Sequence, residues 1–299
     1  MEAETGQLTN LLSNAALHRV ERLRFNPLRQ FTNRSQGGYL ARKGGSSTEF
    51  ADFRDYAPGD DIRFVDWNSF SRLHRPYLKL FHQEEDMHIL ILIDSSDSMQ
   101  FEEKWVQARR LAALLGVVAL RNSERLSIHS LRGGETGNAL FPPCSGRGHL
   151  TKMLTFLEEL EPGGDTPPEV AFEQALKTHS GRGIAIILSD FLTFGDLKRS
   201  FNLLFSAGLE LWGAHILAPS ELDPELNGDI RLVDSESNQT LDVSGIGDLL
   251  GLYNEHLARF QGQIETLCQQ RAGRYLSLSS ETDLETKGLE NLRRQGWLR

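Results

Sequence analysis

Apolar positions in this 299-residue chain follow two regimes. From His88 onward, short β-branched runs alternate with stretches of helical period. His88–Ile93, Ile184–Leu188 and Leu209–Leu217 are largely apolar runs of strand length, as expected of strands buried on both faces. Glu102–Arg121 sets Trp105, Ala108, Leu111, Ala112, Leu115, Val118 and Ala119 on one helical stripe. The pattern predicts further helices over Leu150–Leu160, from Pro167-Pro168 to Thr178, and over Leu197–Ala207, Ile246–Arg271 and Leu284–Arg294. Tyr275–Leu278 is the last predicted strand. Arg125–Leu131 and Ala139–Phe141 flank a glycine-rich hairpin turn, and Ile230–Val233 pairs with Thr240–Val243 across Asn238. Strands alternating with helices predict an α/β fold, a doubly wound, mostly parallel sheet flanked by helices.

The first 85 residues are different. Leu8, Leu11, Leu12, Ala15, Ala16 and Val20 give a mild helical period, and Gln36–Tyr39 and Lys43–Ser47 read as loops. Glu49–Arg72 is dense in charge and aromatics without a clean period, and Leu78–Phe81 is a short strand candidate. The expected organisation is therefore an N-terminal region over residues 1–85 and an α/β domain over residues 86–299.

Charge supports that division. The chain carries a formal net charge of −9, yet residues 1–85 hold 12 basic and 11 acidic side chains, so the acidity belongs to the remainder. A chain of this sign lacks the basic face that nucleic acid or anionic lipid requires. Cys144 and Cys268 stand far apart, which argues against a zinc site or a disulfide framework. No signal-peptide pattern opens the chain, and its longest apolar stretch, Leu111–Leu120, is short of the roughly 20 residues of a membrane helix. A cytoplasmic protein with no membrane span is expected.

In open α/β sheets, ligands bind at the carboxyl ends of the strands. Asp94-x-Ser96-x-Ser98 leaves the first strand, Thr166 lies in the loop Gly163–Thr166, and Asp190 follows the strand Ile184–Leu188. Three hydroxyls and two carboxylates make an all-oxygen donor set suited to a hard cation such as Mg²⁺, with Mn²⁺ or Ca²⁺ as alternatives. Each residue also has a simpler reading, because Ser95, Ser96, Asp97, Thr166 and Asp190 all suit helix caps. Only their combination points to a metal.

Asp94, Ser96, Ser98, Thr166 and Asp190, in that order, resemble the metal-ion-dependent adhesion site of von Willebrand factor A domains. The resemblance implies a non-enzymatic module whose metal accepts a carboxylate from a partner protein. Upstream, Gly38-Tyr39, Gly44-Gly45, Ser47–Phe50, Arg54–Tyr56, Pro58–Asp61, Arg63 and Asp66-Trp67 resemble one bacterial family. This is the MoxR-associated, von Willebrand factor A-like family, domain-of-unknown-function family 58. Ser71 before Arg72 is a small departure, since an Ala-Arg pair is more usual there. Membership implies work with a MoxR-type AAA+ ATPase, or with its client protein, in chaperone-like assembly or maturation.

The alternative is a Mg²⁺-dependent phosphatase or phosphotransferase with Asp94 as nucleophile. Against it, Ser96 stands where the haloacid dehalogenase type has a second carboxylate, and no strand-end lysine is evident. The block Asp60-Asp61-x-Arg63-x-x-Asp66-Trp67 is expected to hold the fold, with Arg63 and Arg72 forked onto Asp60 or Asp66 and Trp67 packed beside them.

Overall fold

The computed structural model describes residues 7–29, 32–33, 49–84, 87–131, 139–163, 168–192, 196–224, 230–233, 240–243 and 246–299. Along the chain, α1 (Asn14–Val20), β1 (Thr32–Asn33), β2 (Glu49–Asp55), α2 (Trp67–Leu73) and β3 (Tyr77–Glu84) precede the α/β region. There β4 (His88–Asp94), α3 (Lys104–Arg121), β5 (Arg125–Leu131), β6 (Ala139–Cys144), α4 (Leu150–Glu159), α5 (Pro168–Lys177) and β7 (Gly183–Ser189) follow. The chain continues through α6 (Leu197–Ser206), β8 (Leu209–Leu217), α7 (Pro219–Leu222), β9 (Ile230–Val233) and β10 (Thr240–Val243). It ends with α8 (Ile246–Gln269), β11 (Arg274–Ser279) and α9 (Leu289–Arg294). Residues 1–29 and 87–299 make one structural unit and residues 30–86 another.

The larger unit is built on a six-stranded sheet of order β11-β8-β7-β4-β5-β6, parallel throughout except for β6, which turns back antiparallel on β5. β4, β7 and β8 are buried along their whole length, which explains why their sequences do not alternate. Side chains on successive strand residues point to opposite faces. Leu90, Leu92, Ala185, Ile187, Leu209 and Leu211 meet Phe172 of α5, Phe201 of α6 and Ile264 of α8 in one core. Ile89, Ile91 and Ile93 therefore face the other side, where α3 packs. α3 is buried nearly all round because α1 and α4 also pack on it.

Residues 7–29 pack with the α/β unit rather than with the segment that follows them. Leu12, Ala16, Val20 and Phe25 are buried, and the hydroxyl of Ser13 caps α1 by accepting from Ala16 N at 3.1 Å. Arg24 and Arg299 exchange backbone hydrogen bonds of 3.0 and 2.9 Å. The buried Glu210 carboxylate accepts the Leu28 and Arg29 backbone N–H groups at 3.1 and 2.5 Å. The N-terminal region expected over residues 1–85 is thus divided near residue 29.

The smaller unit holds an antiparallel sheet of order β1-β3-β2, with a bulge in β2 between Phe50 and Asp52. Its charged block is locally satisfied, with partners other than those expected. Asp60 is forked by Arg54 at 2.8 and 2.7 Å, Asp61 by Arg63, and Asp66 caps α2 through Asn68 N and the Ser69 hydroxyl. Trp67 is 58% exposed and meets Phe70 edge-on, so it is not packed into that network.

Candidate metal centre

β4 and β7 run side by side in register through Ile93 and Leu188, so their carboxyl ends fall together. Asp94 ends β4, Ser189 ends β7, and Asp190 follows directly. The two ends are joined directly: the Ser189 hydroxyl donates to Asp94 Oδ2 at 2.5 Å and accepts from Phe191 N at 2.7 Å. Asp94 Oδ1 accepts the Ser96 backbone N–H at 3.0 Å, which folds the loop back over the strand end. Ser96 Oγ and Ser98 Oγ then lie 3.1 Å apart. Asp94, Ser96, Ser98 and Asp190 are all buried.

The next loop reaches the same place, because Gly163 N donates to Ser95 O at 2.6 Å. Thr166, the remaining expected ligand, lies outside the described residues. Four of the five expected positions are therefore gathered at one end of the sheet.

Charge at the site is asymmetric. Burial and the charge of Asp190 hold the Asp94 carboxyl above the usual carboxylate range, and its hydrogen-bond donors are a serine hydroxyl and a backbone N–H. Among the described residues, no ammonium or guanidinium pairs with it. Asp190 differs: Lys104 Nζ, at the first position of α3, donates to Asp190 Oδ2 at 2.8 Å and to Glu221 Oε1 at 2.7 Å. Burial alone would lower the lysine pKa, but Asp190 and Glu221 outweigh it and hold it above its ordinary value. The second Asp190 oxygen accepts Leu192 N at 3.1 Å, and the second Glu221 oxygen accepts Ala218 N at 2.7 Å.

Lys104 and Glu221 were missed by sequence reasoning. A signal existed for Lys104, which sits four and seven residues before Ala108 and Leu111 on the buried stripe of α3. A lysine on a buried face needs an anion, and Asp190 was the nearest candidate end. The predicted helix start at Glu102 is corrected for a related reason. Glu102 and Glu103 have left-handed backbones, with φ of 41° and 59°, so α3 begins at Lys104.

The donors fit a hard cation. Among the described residues Asp94 has only neutral partners, and a carboxylate so buried is costly unless a positive charge completes the site. Two serine hydroxyls converge beside it. Among the described residues, no three His, Cys, Asp or Glu side chains come together for a metal. A cation bound here would therefore draw on serine oxygens, as Mg²⁺ does and softer metals do not.

Comparison with known proteins adds a family. Uncharacterised proteins of Mycobacterium tuberculosis and Mycobacterium bovis are 26% identical over 215 residues, covering 70% of this chain and 67% of theirs. The crystal structure of BatB from Bacteroides thetaiotaomicron aligns at 12% identity and a TM-score of 0.43, over 70% of this chain and 98% of that one. An aerotolerance-related membrane protein from Bacteroides fragilis aligns at 14% identity and a TM-score of 0.45 over the same shares. The profile of one family matches residues 52–250, more than half of the chain and inclusive of both strand ends at the site. By that match, the chain belongs to the family described as protein of unknown function DUF58.

Proposed function

We propose that this protein is a non-enzymatic interaction module of the von Willebrand factor A type. In this reading it binds one divalent cation, Mg²⁺ or alternatively Mn²⁺ or Ca²⁺, at Asp94, Ser96, Ser98, Thr166 and Asp190. One observation carries the proposal: a buried carboxylate that has no cationic partner among the described residues lies beside two converging hydroxyls at the end of a parallel strand pair. Asp94 supplies negative charge, and Ser189 and the Ser96 backbone N–H fix its rotamer. Ser96 and Ser98 supply neutral oxygens, and Gly163, three residues before Thr166 in the sequence, donates its N–H to Ser95 O. When bound, the cation supplies positive charge and an open position for a carboxylate from a partner.

The partner in this proposal is a MoxR-type AAA+ ATPase or its client, met in the cytoplasm during assembly or maturation. The family supports that choice through the resemblance carried by the upstream signature. Asp94 has both oxygens hydrogen-bonded and is buried, a poor arrangement for a nucleophile attacking phosphorus, so the phosphatase reading loses support.

A pulldown with a MoxR-type ATPase, with and without EDTA, tests the proposal. Capture that needs Mg²⁺, and that fails for Asp94→Ala with Ser96→Ala in a folded protein, is the expected result. Capture undiminished by EDTA and by the double substitution would refute it.

A further inference from the structure

We propose that Lys104 lowers the metal affinity of this site by offsetting the charge of Asp190, an inference that rests on the metal-binding reading above. The Lys104 ammonium lies between Asp190 Oδ2 and Glu221 Oε1, at 2.8 and 2.7 Å, and its side chain is 1% exposed. With Leu192 N on the other oxygen, both Asp190 oxygens are engaged within the protein. Of the two carboxylates at the strand ends, Asp190 already has a cation, and Asp94 has none among the described residues.

The charge balance states the consequence. Three carboxyl groups, those of Asp94, Asp190 and Glu221, stand at this end of the sheet, and the Lys104 ammonium lies against two of them. A lysine so close opposes the arrival of a second cation, and the opposition is strong where water is excluded. With the Asp190 charge partly answered from within the protein, a bound ion is held less tightly and is released more readily.

The backbone shows how firmly Lys104 is aimed. Glu102 and Glu103 take left-handed conformations in succession, which non-glycine residues adopt at a cost. The Glu102 carboxylate accepts Ser220 N–H at 3.2 Å, tying that strained turn to α7, the helix that carries Glu221. Both ends of the Lys104–Glu221 pair are therefore fixed by the same loop contact.

The test is Mg²⁺ titration of the full chain by calorimetry, with the Mg²⁺-dependent rise in Tm as a second readout. Wild type is compared with Lys104→Met, Lys104→Arg and Glu221→Gln. Lys104→Met should bind Mg²⁺ about tenfold or more tightly and gain more Tm from it, because a favourable charge difference is restored. Lys104→Arg should stay near wild type, and Glu221→Gln should bind more weakly. A lysine with a purely structural role would make the Met and Gln variants both weaker. That pattern, or unchanged affinity in folded Lys104→Met, overturns the proposal while Mg²⁺ binding by wild type leaves the metal site standing. Should Lys104→Met not fold, Lys104→Gln takes its place in the titration: tighter Mg²⁺ binding than wild type supports the proposal, and unchanged or weaker binding overturns it. Binding by Lys104→Met with none by wild type supports it strongly. No binding by either removes the metal reading and this proposal together.

Discussion

His88, the first residue of β4, illustrates how the other end of the same strand is built. Its ring stacks on His179 with centroids 4.9 Å apart, its Nδ1 lies 2.8 Å from His179 Nδ1, and its Nε2 meets the Ser127 hydroxyl at 2.8 Å. At that distance one of the two facing nitrogens donates and the other accepts, so the two rings cannot both be protonated there. Burial, aided by His179 and Arg125, pulls the His88 pKa down to about 3, and burial pulls His129 down to about 4. His179 is lowered as well, chiefly by burial. Folded values below the ordinary 6.5 mean that the unfolded chain takes up protons first as pH falls. Stability is therefore full above pH 6.5 and is lost progressively as pH drops toward 3–4. Each linked histidine can contribute up to about 1.4 kcal/mol per pH unit in that window. Urea unfolding at pH 7 and pH 5 should show a clear loss at pH 5, and His88→Gln should flatten the slope. An unchanged midpoint between the two pH values would contradict this account of the pair.

At the scale of elements, the site depends on β4 and β7 lying close enough for their ends to share hydrogen bonds. Gly183, the first residue of β7, makes that approach possible at its lower end. A Cβ there would sit 1.9 Å from the His88 carbonyl oxygen, inside backbone that cannot yield. Gly183→Ala should cost about 1–3 kcal/mol or more, as overpacking does, and thermal melting should show the fall. A variant as stable as wild type would mean that the strands can part without consequence. The same elements show what was legible in the sequence. β4, β7 and β8 were readable because a strand buried on both faces needs a continuous apolar run, and in a parallel pair the ends of such runs place Asp94 and Asp190 together. β2 was not readable, because the bulge after Phe50 shifts the alternation of Phe50 and Phe53 that would have marked it. The Lys104–Asp190–Glu221 triad was hidden for another reason. It joins residues 86 and 117 positions apart, through a helix start that two left-handed residues displace.

For the molecule as a whole, the net charge of −9 and the apolar pattern take on more definite meanings. Among the described residues, no helix is long and apolar enough to cross a membrane. Residues 7–29 complete the α/β unit by closing on the C-terminal residues and on Glu210, a pairing of chain ends that no local pattern could announce. Much of the acidity is ordinary surface, but Asp94, Asp190 and Glu221 are fixed at one end of the sheet, where Lys104 is the one lysine paired with them among the described residues. That imbalance is the centre of the proposed function. Calorimetric titration of Mg²⁺ into the intact protein, beside Asp94→Ala with Ser96→Ala, tests it most directly. Wild type should take up one Mg²⁺ per chain, and the double variant should take up none while unfolding as cooperatively as wild type. Equal uptake by both proteins, or none by wild type, would contradict the account.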